Sequence, residues 1–138
     1  MFTSYRATVC CQIIEQKIVA IIRLKQQADV APLLDSLVEA GIKVLEITSN
    51  TPGFEQEIKS ARARHQHILV GAGTITNIEL AKKAINAGAQ FIVTPNTNKH
   101  IVSLAHQHNL PVLMGALTPT DIANAIEYNA DIIKVFPA

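Results

Sequence analysis

The sequence predicts an α/β protein built from repeated strand–helix units. Six short apolar runs, most of them rich in Val and Ile, alternate with amphipathic segments of helical period. Each run fits a parallel strand that is buried on both faces. The runs are residues 18–22, 44–48, 67–70, 91–94, 111–114 and 132–135. No linker, low-complexity stretch or block of charge divides the chain, so we expect one domain over residues 1–138.

Three of the predicted helices have recognisable starts, since N-cap residues and first-turn residues follow the strands. These starts are Thr51 before Pro52, Thr76 three residues before Glu79, and Thr118 before Pro119 with Asp121 in the first turn. Three helix ends are marked by a residue that tolerates the left-handed conformation. These residues are Gly41, Gly88 and Asn129.

An additional helix is predicted before Lys17, where Val9, Ile13 and Ile14 recur near helical spacing. We expect it to lie across one end of the sheet. Successive strand–helix units build either an open doubly wound sheet or a closed (β/α)₈ barrel. A barrel needs roughly 250 residues in its usual form. Length alone therefore favours the open sheet.

The composition indicates a small-molecule partner. The net charge is +1, no basic run occurs, and the chain has only two Tyr and four Phe. These features give no footprint for nucleic acid or for an acidic membrane surface. No apolar run approaches the roughly 20 residues that span a bilayer, and the first residues lack a signal-peptide pattern. We therefore expect a cytoplasmic protein.

The cysteine and histidine spacings predict no metal site. Cys10 and Cys11 are adjacent, which favours buried helix residues over a disulfide framework. The alternating histidine pairs in 65–67 and 106–108 are interpreted as solvated helix ends, where partial positive charge is favourable. No metal and no cofactor are expected.

Lys134 is the first candidate for chemistry. On the last strand it shares a face with Ile132 and Phe136, because strand side chains alternate. Desolvation there would lower the pKa of the amine, as a nucleophile that attacks a ketone at neutral pH requires. The alternative is an ordinary strand-end lysine whose ammonium reaches solvent.

Glu46 is the second candidate, at the end of the second apolar run. It shares a face with Val44 and Thr48. A carboxylate near an amine nucleophile can give and take protons during carbinolamine and enamine chemistry. The alternative is an ion pair with Lys134 or Arg23 that only satisfies two charges.

Further polar groups end other strands. Arg23 closes the first strand and has the forked donor set that suits a carboxylate or a phosphate. In residues 70–74, Gly71 and Gly73 would let the backbone approach a ligand, and Thr74 offers a hydroxyl. The alternative is that the two glycines serve a bulge or tight packing. Since ligands bind at the carboxyl ends of parallel strands, the convergence predicts a site there.

Five motifs in order resemble the KDPG/KHG aldolase family, which comprises 2-keto-3-deoxy-6-phosphogluconate and 4-hydroxy-2-oxoglutarate aldolases, with the 6-phosphogalactonate aldolases close by. The similarity runs from about Lys17 to the final residue. The motifs are residues 45–48, 70–74, 91–96, 115–120 and 133–137.

The resemblance implies a (β/α)₈ barrel, usually trimeric. It implies a metal-free class I aldolase that cleaves a 2-keto-3-deoxy sugar acid to pyruvate and an aldehyde, such as glyceraldehyde 3-phosphate or glyoxylate. Lys134 then corresponds to the Schiff-base lysine and Glu46 to the general acid/base. Thr74 and Pro95 correspond to residues that line the pyruvate pocket, and Phe136 to the aromatic ring beside the lysine.

The chain departs from the gluconate-type pattern in two respects. Asn50 stands where that pattern has an arginine that holds the substrate carboxylate. Arg23 together with Asn50 resembles the galactonate-type arrangement, in which an arginine at the end of the first strand reaches the same carboxylate. The family also continues through two more strands whose loops bind the substrate phosphate.

We therefore expect an incomplete barrel of about six of the eight units, with two exposed sheet edges. An inactive fragment or binding module that keeps the fold signature is the alternative function. A phosphate-binding isomerase is a weaker one, because no glycine-rich loop opens a helix.

Overall fold

The computed structural model describes residues 3–138 as alternating helices and strands. The helices are α1 (Tyr5–Gln16), α2 (Val30–Glu39), α3 (Phe54–Arg64), α4 (Ile78–Asn86), α5 (Lys99–Gln107) and α6 (Pro119–Glu127). The strands are β1 (Ala20–Ile22), β2 (Val44–Thr48), β3 (Leu69–Gly73), β4 (Ile92–Thr94), β5 (Val112–Ala116) and β6 (Ile132–Val135). All six predicted strands and the predicted N-terminal helix are present.

The strands form one parallel sheet in the order β1-β2-β3-β4-β5-β6. Each helical crossover leads to the next strand, and the order never reverses as it does in a doubly wound sheet. The open doubly wound sheet favoured by length is therefore wrong. The architecture is instead a curled part of a (β/α) barrel. Strand order, which follows the chain order here, distinguishes the two architectures, and chain length does not.

The two faces of the sheet bury different partners. Alternate strand residues such as Leu45, Val70 and Met114 pack with the helices in an outer core. The other set, which includes Val44, Leu69, Val93 and Leu113, forms a second cluster with α1. Since β2 to β5 all contribute to this one inner cluster, the sheet is concave towards α1.

Helix α1 covers the end of the concave face at which the strands begin. Its Val9 and Ile13 are buried beside Val44 and Leu69, the first residues of β2 and β3. The prediction that this helix lies across one end of the sheet is confirmed. The opposite end, where the strands finish, stays free for a site.

Strand β3 differs most from its predicted bounds of 67–70. It begins at Leu69 and continues through Gly73, with Thr48 and Gly73 paired at the end of β2 and β3. The apolar run ends at Val70, but strand pairing uses backbone groups and continues through glycines. Strands β2 and β6 have the predicted bounds.

Helix starts were predicted correctly once in three cases. Thr118 caps α6, and Thr118 and Asp121 form a reciprocal capping box. Thr51 is not an N-cap, because its hydroxyl is buried against the β1–α2 connection and α3 begins after Gly53. Thr76 is not one either, since Asn77 accepts the capping hydrogen bond from Leu80.

The predicted helix ends are confirmed. Gly41, Gly88 and Asn129 have φ angles of 95°, 90° and 60°, all in the left-handed region.

Cys11 is exposed, so the expectation of two buried cysteines is wrong for Cys11. His65 and His106 lie at helix ends as predicted, but both are half-buried, and their Nε2 atoms lie 2.7 Å and 2.8 Å from Asp35 and Asp131.

The sheet has two unpaired edges within residues 3–138. Strands β1 and β6 each pair with one neighbour only. Ile21 of β1 is 52% exposed and Val135 of β6 is 59% exposed. The expected exposure of two sheet edges is confirmed. Over the same residues, none of the helices has the length and apolar character that crossing a bilayer requires.

Candidate functional site

The predicted site residues gather where the strands end. Glu46 lies in β2, Gly73 ends β3 and Lys134 lies in β6. The others follow strands within two residues: Arg23 after β1, Asn50 after β2, Thr74 after β3, Pro95 after β4 and Phe136 after β6. Parallel pairing of all six strands brings these positions to one end of the sheet, as the sequence predicts.

A cavity of about 320 Å³ opens on the concave face below these residues. Its wall is apolar, with Val93, Leu113 and Ile132 from the strands and Ile13 from α1. Three charged residues also line it: Glu46, Lys134 and Lys17. A larger, polar groove of about 430 Å³ lies at the other end of the sheet, beside α1, and contains none of the predicted site residues.

Glu46 is a buried carboxylate without a polar partner. Its side chain is 2% exposed. It packs against Gly73, where a Cβ atom would overlap the carboxylate. Burial raises the pKa of Glu46, and the charges of Lys134 and Arg23 oppose that rise. A carboxyl group with a raised pKa is suited to both giving and taking a proton.

The alternative interpretation of Glu46 as a structural ion pair receives no support. Neither Lys134 nor Arg23 forms a salt bridge with it, and no hydrogen bond contributes to its pKa shift, which burial and these two charges determine. Both cations act on Glu46 only through space. Its free oxygens therefore remain available to a molecule in the cavity.

The two glycines of β3 serve tight packing. The ring of Phe91 occupies the space beside Gly71, and the carboxylate of Glu46 occupies the space beside Gly73. Any side chain at either position would displace its neighbour. The absence of a side chain at position 73 therefore leaves room for the Glu46 carboxylate.

Lys134 enters the cavity from the sixth strand. Its side chain is half-buried, and its Nζ lies 5.0 Å from the centroid of the Phe136 ring, a cation–π distance. The strand register places it beside Gly115 of β5. The absence of a side chain on Gly115 lets the backbone of Pro95 pack directly on β5, which brings the loop after β4 towards Lys134.

Arg23 and Thr74 form a polar pair at the rim of the site. The Arg23 Nη2 donates a hydrogen bond of 3.1 Å to the Thr74 Oγ1. The contact spans the end of β2, since Arg23 follows β1 and Thr74 follows β3. A guanidinium that follows the first strand thus reaches the residue that follows the third strand.

Asn50 makes no contact with the other predicted site residues that would tie it to them within residues 3–138. It is exposed in the turn between β2 and α3, and its side chain makes no hydrogen bond within residues 3–138. No group of three metal-binding side chains occurs in the same part of the chain.

Sequence reasoning missed three polar residues that shape the site. Ser49 donates to the Thr74 carbonyl, Thr51 accepts from the Leu24 amide, and Thr94 accepts from the Gly115 amide. Thr94 ends β4, Ser49 directly follows β2 and Thr51 lies three residues after β2, where a short hydroxyl can reach neighbouring backbone. That position was the available signal, but the identity of each partner depends on the fold.

The chain matches the family model described as KDPG and KHG aldolase over residues 9–138. It is 37% identical to the 2-dehydro-3-deoxy-phosphogluconate aldolase of Haemophilus influenzae over 124 residues, which are 90% of this chain and 58% of that protein. The chain therefore spans little more than half the length of the curated relatives it matches.

Solved structures agree with this result. The 2-keto-3-deoxy-6-phosphogluconate aldolase of Zymomonas mobilis ZM4, crystallised with 3-phosphoglycerate, superposes with a TM-score of 0.84 at 27% identity over 94% of this chain and 62% of its own. The KDPG aldolase of Legionella pneumophila, with pyruvate captured as a covalent carbinolamine, gives a TM-score of 0.80 at 25% identity over 87% and 58%.

Proposed function

Because the chain belongs to the KDPG and KHG aldolase family, we propose that it is a class I aldolase that cleaves a 2-keto-3-deoxy sugar acid to pyruvate and an aldehyde. One observation carries the proposal. A lysine amine and a buried carboxyl group with a raised pKa enter the same apolar cavity from opposite parts of the sheet.

Lys134 supplies the nucleophile. Its amine adds to the keto carbon of the substrate and forms a carbinolamine, which loses water to give a protonated imine. The imine nitrogen then accepts the electron pair released when the bond between C3 and C4 breaks. The products are an aldehyde and the enamine of pyruvate. Protonation of the enamine and addition of water release pyruvate and restore the amine.

Glu46 moves the protons that these steps require. In its acid form it protonates the departing carbinolamine hydroxyl, and as a carboxylate it accepts the C4 hydroxyl proton. It then returns a proton to C3 of the enamine. Burial raises the pKa of this carboxyl, which favours its acid form relative to that of an exposed glutamate, and the charges of Lys134 and Arg23 oppose the rise.

Arg23 and Thr74 hold the substrate carboxylate. The guanidinium offers a forked set of donors, and the Thr74 hydroxyl fixes it above the end of the sheet. Pro95 and Phe136 border the keto group from the loops after β4 and β6, with Phe136 also in contact with the Lys134 ammonium. Asn50, exposed in the turn after β2, is included among the substrate-binding residues only through its resemblance to the galactonate-type pattern.

The relative from Legionella pneumophila supports the covalent chemistry, because that protein was captured with pyruvate as a carbinolamine. The proposed substrates are a 2-keto-3-deoxy-6-phospho sugar acid of the gluconate or galactonate type and 4-hydroxy-2-oxoglutarate. A trimeric assembly and a cytoplasmic location complete the proposal, the first implied by the family resemblance and the second expected from the sequence.

Reductive trapping tests the proposal. Incubation with pyruvate and borohydride should attach a reduced pyruvyl group to Lys134, located by peptide mass spectrometry. Lys134→Ala should abolish the adduct. Lys17→Ala is the matched control, since Lys17 lines the same cavity and its replacement should leave the adduct intact. A folded protein that forms no adduct, or forms it equally in Lys134→Ala, would contradict the proposal.

The unpaired edges of β1 and β6 favour a second candidate, a binding module without turnover. Light scattering combined with a lyase assay separates the two. Release of pyruvate from a sugar acid by a compact monomer or trimer excludes the binding module. An adduct at Lys134 without any cleavage would favour it.

A further inference from the structure

The end of β3 carries a bulge that changes the direction of Thr74. The Ala72 amide donates to the Phe91 carbonyl, and a regular parallel ladder would continue with the Thr74 amide and the Val93 carbonyl. Instead the Ile75 amide donates to Val93 at 3.1 Å. One extra residue is therefore accommodated on β3, and bulges of this kind re-aim side chains beside functional sites.

Thr74 occupies an unfavourable backbone conformation in this bulge. Its φ angle is 55°, in the left-handed region, where a β-branched side chain is strained. Such a residue persists only when its surroundings hold it in place. The conformation directs the hydroxyl to the Arg23 guanidinium. Whatever stabilises it therefore also sets the position of the carboxylate-binding pair.

Ser49 makes the contacts that hold this segment. Its amide donates to the Gly73 carbonyl at 2.8 Å, which continues the pairing of β2 with β3. Its hydroxyl donates to the Thr74 carbonyl at 2.7 Å. Ser49 therefore binds two consecutive carbonyl groups, those of Gly73 and Thr74, which lie before and after the Cα atom of the strained residue. Ser49 itself is half-buried and lies at the end of β2, three residues after Glu46.

We infer that Ser49 is a positioning residue of this site: its hydroxyl holds the Thr74 bulge in the conformation that presents the Arg23–Thr74 pair to a substrate carboxylate. The inference rests on the proposed aldolase function and adds a residue to it. Without the hydroxyl, the Thr74 carbonyl loses its partner and the residue relaxes out of the left-handed region. Carboxylate binding then weakens, while Lys134 and Glu46 stay in place on their strands.

The experiment measures the pyruvate concentration that gives half-maximal borohydride trapping at Lys134. Ser49→Ala should raise this concentration roughly three- to tenfold, as expected for the loss of one hydrogen bond. The extent of trapping at saturating pyruvate should stay unchanged. Ser49→Thr keeps the hydroxyl and should restore the original value. Ser36→Ala is the matched control, because it removes another serine-to-carbonyl hydrogen bond, on α2 and away from the site.

Ser49→Cys provides a second variant of nearly the same shape, with a much weaker donor. It should shift the half-maximal concentration in the same direction as Ser49→Ala, and it replaces that variant should Ser49→Ala fail to fold. An adduct with an unchanged half-maximal concentration in Ser49→Ala and Ser49→Cys overturns this inference alone. Absence of any adduct from the unaltered chain overturns the proposed function and this inference with it.

Discussion

The carboxylate of Glu46 lies where the Cβ of any residue other than glycine at position 73 would stand. Strand β3 thus has no side chain at this position of its inner face, and the Glu46 side chain from β2 fills the space. The arrangement buries Glu46 without supplying a hydrogen-bond partner, and burial is the main cause of its raised pKa. Position 73 therefore controls the space that the Glu46 carboxylate occupies.

Gly73→Ala should separate proton transfer from imine formation. The added methyl group displaces the Glu46 carboxylate, so exchange of the pyruvate methyl protons in heavy water should slow about tenfold or more. Trapping at Lys134 should persist. Proton NMR of the pyruvate methyl signal measures the exchange without requiring an aldehyde.

Gly71→Ala is the control for that variant, on the same strand and the same face. Its methyl group meets the ring of Phe91 and not Glu46. It should lower the free energy of unfolding by about 1–3 kcal/mol through overpacking and leave the exchange rate of the folded protein close to normal. Equal exchange rates in Gly73→Ala and the unaltered protein would show that position 73 does not place Glu46.

Glu46→Gln should stabilise the protein at neutral and alkaline pH. Because the pKa of Glu46 is raised on folding, the native state binds more protons than the unfolded state between the ordinary pKa of 4.5 and the higher folded pKa. The contribution of Glu46 to stability is fully present at low pH and is lost as pH rises through its folded pKa. The neutral amide does not incur this loss.

Urea denaturation at pH 4 and at pH 8 measures the effect. Glu46→Gln should have the larger free energy of unfolding at pH 8, and the difference between the two proteins should shrink towards pH 4. If the two proteins differ in free energy of unfolding by the same amount at both pH values, the effect does not come from the buried charge of Glu46.

The sequence predicts those features that depend on local pattern. Alternation along β2 and β6 places Glu46 and Lys134 on the inner face, and the Thr118 capping box needs only residues within one turn. Features that depend on distant neighbours were not predictable. Thr51 has the sequence context of an N-cap but bonds instead to the β1–α2 connection, and the contact between Ser49 and Thr74 requires the β2–β3 register and a bulge.

Arg23→Ala should weaken carboxylate recognition selectively. Arg23 is exposed, so solvent screens part of its charge, and we expect the half-maximal pyruvate concentration for trapping to rise about tenfold. Arg23→Lys keeps the charge but loses the forked geometry, and should give an intermediate value.

Hydroxyacetone provides the control ligand, since it has a ketone but no carboxylate. Its trapping at Lys134 should be the same in Arg23→Ala and in the unaltered protein. If both ligands lose trapping equally, Arg23 acts on the amine or on the fold rather than on a carboxylate.

The two adjacent cysteines should react at very different rates. Burial, and secondly the nearby Asp131 carboxylate, raise the pKa of Cys10 to about 11, against the smaller opposing effect of Arg6. At pH 8 only about one Cys10 in a thousand is then a thiolate, the form that reacts with iodoacetamide. Cys11, the next residue of α1, is exposed.

Alkylation followed by peptide mass spectrometry should therefore label Cys11 first, with Cys10 labelled at a comparable rate only in urea.

Asp131 also pairs with Arg6 of α1 at 3.2 Å and accepts a hydrogen bond from the Val112 amide, so it fastens α1 to the start of β5. Asp131→Asn removes the carboxylate charge and weakens this attachment, and both effects should speed the labelling of Cys10. Equal labelling of both cysteines in the folded protein would mean that α1 does not stay docked on the sheet.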